Sequence, residues 1–156
     1  MFDYQRIFHV GVRVHDLKEG MDSIGDSLGL RWAQVIERQQ DSWTPEGGAS
    51  TSTLRFTYST EGPQHVELLQ GDQGSLWDAG DSFGPGLHHS GIFVDSVAET
   101  TEALVADGWT LLGAAKSPED GYGVFSYVRS PTGFLVEPVD ESRRSQLEAW
   151  WAGGAL

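Results

Sequence analysis

Two similar stretches of sequence decide the fold, HVGVRVHDL at residues 9–17 and HSGIFVDSV at residues 89–97. Three residue types recur in register between them at an offset of 80 (89 − 9): His9 and His89, Gly11 and Gly91, and Val14 and Val94. Each stretch begins with β-branched and apolar residues, which favour a strand. An internal repeat of this kind predicts a chain built from two copies of one module.

A helix start signal and a helix stop signal follow each strand. Asp16 and Ser96 are each followed three residues later by a glutamate, which is the spacing of a capping box. Gly29 and Gly108 are the corresponding stop signals. Residues at helical spacing are predicted to share one face of the first helix, namely Leu17, Met21, Ile24 and Leu28. In the second helix the residues predicted to face inward are Val97, Thr101, Leu104 and Val105.

Three further strands are predicted after each helix, because turn-forming Pro and Gly residues separate apolar and β-branched runs. The predicted strands cover residues 30–38, 51–58 and 65–70 in the first copy, and 109–115, 123–129 and 134–139 in the second. The order βαβββ therefore occurs twice. This order predicts an α+β fold in which the two modules form a curved mixed sheet around a cleft.

These elements predict a single domain over residues 1–156. Module one covers about 6–70, a linker about 71–86, module two about 87–139, and a C-terminal helix about 140–151. Two adjacent tryptophans in that helix are costly in water, so we expect the helix to dock onto the body of the protein or onto a second subunit. The sequence leaves open whether the modules pair within one chain or swap across a homodimer.

Composition excludes several classes of function. The chain is 38% hydrophobic and 21% charged, and it has no apolar run of about 20 residues that could span a bilayer. No signal peptide is visible at the N-terminus, so a cytoplasmic location is expected. The net charge of −13 argues against nucleic acid and anionic membranes as partners. Because there are no cysteines, a metal site must use His, Asp, Glu or carbonyl oxygen.

Strand alternation places one histidine and one glutamate of each module on the face away from its helix. His9 and Glu67 share that face in module one, and His89 and Glu137 share it in module two. A carboxylate in an apolar strand is expensive to bury without a partner. Two imidazoles and two carboxylates suit one borderline divalent ion, so these residues predict a metal-binding cleft for Zn, Ni, Co, Mn or Fe.

The ordered set of motifs resembles the vicinal oxygen chelate superfamily. The motifs are the repeat, Gly-Leu-His-His at residues 86–89 and Ser-Pro-Thr-Gly-Phe-Leu-Val-Glu at residues 130–137, and the resemblance extends from about residue 8 to residue 139. It implies the same four metal ligands. The ligand pattern is similar to that of bacterial glyoxalase I. The Gly-Leu-His-His motif is similar to methylmalonyl-CoA epimerase, in which a glutamine often stands at the position of Glu67.

The resemblance implies a divalent-metal-dependent enzyme that transfers protons on a small oxygen-chelating substrate, as an isomerase or a lyase. Glu137 or Glu67 is expected to act as the general base. Candidate substrate-binding residues are Arg13, Arg55, Trp43, Phe93 and Tyr127. The arginines would hold an anionic group and the aromatic residues would line a pocket. Surface ion pairs and plain core packing are the alternatives.

Two other functions stay open at this point. An Fe(II)-dependent dioxygenase of this fold uses two histidines and one glutamate, so a fourth ligand at Glu67 argues against it. A metal-free small-molecule binding or resistance protein usually lacks the ligand set. Metal analysis separates the three functions, because Zn, Ni or Co favours proton transfer, Fe favours the dioxygenase, and the absence of metal favours the binding protein.

Overall fold

The chain folds as two βαβββ units followed by a C-terminal helix, as the sequence predicts. The structure is a computed structural model and describes residues 3–156. The first unit consists of β1 (Ile7–Arg13), α1 (Leu17–Leu28), β2 (Ile36–Thr44), β3 (Gly48–Tyr58) and β4 (His65–Gly71). The second consists of β5 (Gly86–Val94), α2 (Val97–Ala106), β6 (Thr110–Ala114), β7 (Ser126–Arg129) and β8 (Leu135–Asp140). The last helix is α3 (Arg144–Trp151), and single turns of 3-10 helix lie at Tyr4–Arg6, Pro118–Asp120 and Glu141–Arg143.

Within residues 3–156 the strands form one closed barrel in the order β1-β4-β3-β2-β6-β7-β8-β5. In each module the first and last strands are parallel neighbours, β1 with β4 and β5 with β8, and the other pairs are antiparallel. The modules meet at two seams, a continuous β1–β5 pair and a contact between Trp43 of β2 and Ala114 of β6. The predicted α+β fold with a curved mixed sheet is confirmed, and the barrel closes within one chain.

The predicted caps begin both helices, but the buried helix stripes are shorter than predicted. The Asp16 side chain accepts the backbone N–H three residues later at 2.8 Å, and Ser96 does the same at 3.2 Å. Val105 is 43% exposed, so the prediction that it faces inward is wrong, and Leu28 is 65% exposed although it is predicted on the apolar face of the first helix. Both residues lie in the last turn of their helix, where burial ends one turn earlier than the periodicity predicts.

The largest boundary error concerns β2, which is predicted at residues 30–38 and lies at Ile36–Thr44. The segment before it is held by other contacts. The Ala33 backbone N–H donates to the Tyr58 carbonyl at 2.9 Å, and the Gln34 carbonyl accepts the Trp150 indole N–H at 3.1 Å. The predicted boundaries leave Trp43 in the loop between the second and third strands. Because β2 starts later and continues further, Trp43 lies in β2.

The linker and α3 both contribute to the barrel core. Trp77 of the linker is 1% exposed and Trp150 of α3 is fully buried. Both belong to one apolar cluster with inward residues of the strands, including Phe56 and Phe93. The C-terminal helix therefore docks onto the body of its own chain. Among the described residues, no helix combines the length and the apolar character needed to cross a lipid bilayer.

Candidate metal centre

The four predicted metal ligands lie on β1, β4, β5 and β8, around the continuous seam between the modules. In the sheet Glu67 is beside Gly11, and Gly11 is beside His89. These three residues form one row across neighbouring strands. The repeat produces a second, equivalent row of Glu137, Gly91 and His9. Each row takes its histidine from the opposite module, so the cluster forms only when the two modules close against each other.

The central glycine of each row makes room for a histidine ring. A Cβ on Gly91 would lie 1.8 Å from Cε1 of His9, and a Cβ on Gly11 would lie 2.0 Å from Cε1 of His89. Atoms cannot approach this closely without strong repulsion, so any larger residue would displace the imidazole. This close approach of the imidazole explains why a glycine recurs at the same position of both stretches of sequence.

The ligand atoms of the four side chains converge, and all lie within 4.8 Å of one another. The two Nε2 atoms are 2.8 Å apart. His9 Nε2 lies 3.3 Å from Glu67 Oε2 and 3.2 Å from Glu137 Oε2, and His89 Nε2 lies 3.2 and 3.3 Å from the same two oxygens. Ligands about 2.0–2.2 Å from one ion lie roughly 3–3.5 Å from their neighbours. The cluster therefore has the dimensions of a site for one divalent ion.

Opposite charges overcome the effect of burial in this cluster. The four side chains are at least nine-tenths buried, which by itself favours their neutral forms. Against burial, the charge of Glu67 raises the pKa of His9, and the charge of Glu137 raises the pKa of His89 to about 9. Likewise, His9 lowers the pKa of Glu67 and His89 lowers the pKa of Glu137. Both carboxylates are thus ionised at neutral pH, which is the form that binds a cation.

Two polar atoms of the cluster have no hydrogen-bond partner within residues 3–156, Glu67 Oε2 and His9 Nδ1. A buried acceptor without a partner costs about 1–3 kcal/mol. A cation between the four ligand atoms would satisfy Glu67 Oε2. The donor set, the distances and this oxygen all fit a bound divalent metal.

A tyrosine of each module also faces the cluster. The Tyr58 ring lies 5.1 Å from the His9 ring, and the Tyr127 ring lies 5.0 Å from the His89 ring. Burial, and then the charge of the adjacent glutamate, raises the pKa of both hydroxyls well above its ordinary value. Each tyrosine therefore keeps its proton and can donate it in a hydrogen bond. Sequence reasoning missed Tyr58, although Phe-Thr-Tyr at 56–58 and Phe-Ser-Tyr at 125–127 are a further part of the repeat.

A cavity of about 100 Å³ opens beside the cluster. Glu67 and Glu137 form part of its wall, as do both tyrosines. The rest of the lining is mostly apolar, but it includes Arg38 and Arg143. Sequence reasoning missed these two arginines, because neither lies in a recurring motif and they come from distant parts of the chain.

Only one of the five predicted substrate-binding residues lines the cavity. Tyr127 lines the cavity. Arg13 lies on the predicted face, but its guanidinium forms two hydrogen bonds to Asp81 of the linker, at 2.8 and 3.0 Å. Arg55 does not line the cavity and pairs with Glu37 at 2.6 Å. Ion pairing therefore accounts for the position of both arginines, and the geometry gives no support to a substrate contact for them.

Phe93 and Trp43 also lie outside the cavity lining. The Phe93 ring stacks on Phe8 with the ring centres 3.7 Å apart, which is core packing. Trp43 is on β2, and strand alternation places it opposite to Arg38, which does line the cavity. A direct contact of either aromatic residue with substrate stays a prediction.

Comparison with known proteins links this geometry to named enzymes. Lactoylglutathione lyase of Haemophilus influenzae is 26% identical over 148 residues, which cover 91% of this chain and 98% of the relative. Lactoylglutathione lyase of Escherichia coli O157:H7 is 25% identical over 136 residues, covering 87% and 93%. The crystal structure of methylmalonyl-CoA epimerase from Mycobacterium tuberculosis has the same fold, with a TM-score of 0.57 at 18% identity over 94% of this chain and 97% of that one.

A family model matches most of the chain. The model is described as the glyoxalase/bleomycin resistance protein/dioxygenase superfamily, and it matches residues 8–126. That region contains both histidines of the cluster, Glu67 and the seam where the modules join. The chain therefore belongs to the glyoxalase/bleomycin resistance protein/dioxygenase superfamily.

Proposed function

We propose that this protein is a divalent-metal-dependent enzyme that transfers a proton on a small substrate with two adjacent oxygens, as an isomerase or a lyase of the glyoxalase or epimerase type. The observation that carries the proposal is the buried cluster of His9, Glu67, His89 and Glu137 beside a cavity. These four residues are the proposed ligands of one ion of Zn, Ni, Co, Mn or Fe. The named lyases among the relatives support the reaction class.

A metal held by these ligands would supply a Lewis acid that stabilises negative charge on the oxygens of the substrate. The residues of the chain perform the proton transfer. Glu137 or Glu67 takes the proton from a carbon atom and returns it to that carbon or its neighbour. Tyr58 and Tyr127 stay protonated beside these carboxylates and are available as hydrogen-bond donors to them. The cavity wall beside these carboxylates is mostly apolar, which suits the carbon skeleton of a small substrate.

Two competing functions receive less support. A dioxygenase would need open metal positions for substrate and oxygen, whereas four protein side chains converge here. A metal-free binding protein of this fold usually lacks the ligand set, whereas all four ligand side chains are present and converge here. The intact ligand set therefore favours chemistry on a metal.

The decisive experiment is metal analysis followed by a proton-exchange assay. We expect one tightly bound divalent ion per chain, lost in His9→Gln and retained in His15→Gln. His15 is exposed and lies outside the cluster, so it is a matched control for the same substitution. The metal-loaded protein is then screened against α-hydroxy acids, 2-oxoaldehyde adducts and acyl-CoA esters in deuterated water. Deuterium uptake into carbon supports the proposal, whereas stoichiometric iron with oxygen consumption, or small-molecule binding without metal, contradicts it.

Assembly and location stay predictions. A homodimer is tested by light scattering of the purified protein, and a cytoplasmic location by fractionation of cells. Neither nucleic acid nor membrane is proposed as a partner, and the proposed partner is the small-molecule substrate of the cavity.

A further inference from the structure

Two arginines at the cavity carry positive charge without an acidic partner. Five of the six other arginines form ion pairs within residues 3–156, as Arg55 does with Glu37 at 2.6 Å, and the sixth, Arg129, lies over the Phe83 ring. By contrast, no carboxylate in residues 3–156 forms an ion pair with Arg38 or Arg143, although the chain contains 23 acidic residues. In this acidic protein, two arginines without an ion-pair partner therefore line one cavity.

Both arginines line the cavity that also contains Glu67 and Glu137. The guanidinium of Arg38, on β2, lies 5.0 Å from the centre of the Phe56 ring, which belongs to the cavity wall. Arg143 lies in the 3-10 turn between β8 and α3. One cavity therefore joins the proposed metal ligands to two arginines, one from module one and one from the C-terminal segment.

The two guanidinium groups are close enough to repel each other. The side chain of Arg38 is exposed in part, and its partial desolvation, followed by the positive charge of Arg143, lowers its pKa. Stacking on Phe56 accounts for the position of Arg38 but not for a second cation beside it. An anion between the two groups would remove the repulsion, and guanidinium groups bind carboxylates with paired, charge-assisted hydrogen bonds.

We propose that the substrate is a compact organic anion whose separate carboxylate binds to Arg38 and Arg143 while its two adjacent oxygens face the metal ligands. The inference rests on the proposed function for the chelating oxygens and adds the second group that the substrate carries. A cavity of about 100 Å³ encloses a short chain of a few carbons, well below the roughly 300 Å³ or more of pockets that enclose drug-sized ligands. The apolar wall between the two ends suits a hydrocarbon spacer.

The test uses two hydroxamates that chelate a metal through two adjacent oxygens and differ at one end. Succinic acid monohydroxamate carries a carboxylate where butanohydroxamic acid carries a methyl group. Both are titrated calorimetrically into the zinc-loaded full-length protein. We expect the carboxylate probe to bind about tenfold more tightly than the methyl probe, as a charge-assisted pair of hydrogen bonds gives.

The variants Arg38→Gln and Arg143→Gln should each reduce this tenfold ratio to near one, while zinc content and the affinity for butanohydroxamic acid stay unchanged. Arg55→Gln is the matched control, because it removes the same charge at a position outside the cavity. It should keep the full ratio. Retention of zinc and of the methyl probe shows that each variant is folded.

Equal affinity for the two probes in the wild-type protein would overturn the inference, and so would a preference that survives in both cavity variants. Loss of the preference in Arg55→Gln would overturn it as well, since net charge and not local recognition would then be responsible. These outcomes leave the proposed function intact. If the protein takes up no zinc and binds neither probe, the proposed function fails and this inference fails with it.

Discussion

The two modules supply equivalent ligands to the candidate metal centre but support them differently. In module two, His89 Nδ1 lies 3.0 Å from Nδ1 of His88, and the Tyr127 hydroxyl accepts a hydrogen bond from the Trp77 indole at 3.1 Å. In module one, His9 Nδ1 has no hydrogen-bond partner within residues 3–156. The repeat therefore explains the ligand set, and residues that the two modules do not share, such as His88 and Trp77, decide how firmly each ligand is held.

The linker is one source of this asymmetry. Trp77 lies between the modules, has no counterpart in the repeat, and braces Tyr127, which in turn faces Glu137. A general base must be held in a defined position relative to the substrate to be effective. The braced carboxylate, Glu137, is for this reason the better candidate for the base, and Glu67 is the better candidate for a simple ligand.

The difference between the two modules should have its largest effect on catalysis. We expect Glu137→Gln to keep its metal while proton exchange falls by about 10²–10⁴-fold, the usual contribution of a positioned acid or base. Glu67→Gln should keep the metal and a substantial share of activity, because a glutamine oxygen remains a competent ligand. Deuterium uptake at fixed metal occupancy measures both. Equal, mild losses in the two variants would show that neither carboxylate is the base.

The glycines are expected to behave alike in the two modules. Gly11→Ala and Gly91→Ala each place a methyl group within about 2 Å of an imidazole carbon, so we expect metal affinity to fall by at least about 100-fold in both. Equilibrium dialysis against a competing chelator measures this. Gly47→Ala is the control, because its added Cβ meets only Thr44 Oγ1, at 3.1 Å. A large loss in one module alone would mean that the other ring can move aside.

The ligand set was accessible from the sequence because period-two alternation assigns residues to a face without any knowledge of the tertiary structure. Alternation also placed Arg13 on the inner face. It could not reveal the partner of Arg13, since Asp81 comes from a linker without regular structure 68 residues away. The cavity arginines were inaccessible for a similar reason. Arg38 and Arg143 line one cavity because β2 begins at Ile36 and because the turn between β8 and α3 returns the chain to that cavity. Neither feature can be read from strand alternation.

The pH dependence of stability should differ between the metal-free and metal-loaded proteins. The raised pKa of His89, about 9, stabilises the metal-free fold fully below the ordinary value of 6.5, and this stabilisation is lost as the pH rises through about 9. The lowered pKa of Glu137 stabilises the fold above the ordinary value of 4.5 and is lost as the pH falls below it. The metal-free protein should therefore be most stable between these two ordinary values.

Thermal unfolding from pH 6 to 8.5 measures the difference. The Tm of the metal-free protein should fall over this range, and the stabilisation by zinc should grow, because metal binding requires neutral imidazoles. His88→Gln should leave both profiles in place, since burial and then the charge of His89 lower the pKa of His88 to about 3 and keep it neutral throughout. A metal-free Tm that rises with pH would show that the buried pairs are not ionised.

The smallest expected effect concerns the two tyrosines. Tyr127→Phe removes the acceptor of the Trp77 indole, which is 1% exposed, and a buried donor left without a partner costs about 1–3 kcal/mol. Tyr58→Phe removes an equivalent hydroxyl, but within residues 3–156 no indole donates to it. The metal-free Tyr127→Phe protein should therefore have the lower free energy of unfolding in urea, at an unchanged m-value.

A double-mutant cycle isolates the contribution of the brace. In the Trp77→Phe background the indole donor is absent, so Tyr127→Phe should cost no more than Tyr58→Phe does in the wild-type protein. Retention of the full difference in that background would trace it to packing around Tyr127 and not to its hydrogen bond. The linker would then fill space beside module two without positioning its carboxylate. The assignment of Glu137 as the braced base would lose its structural support.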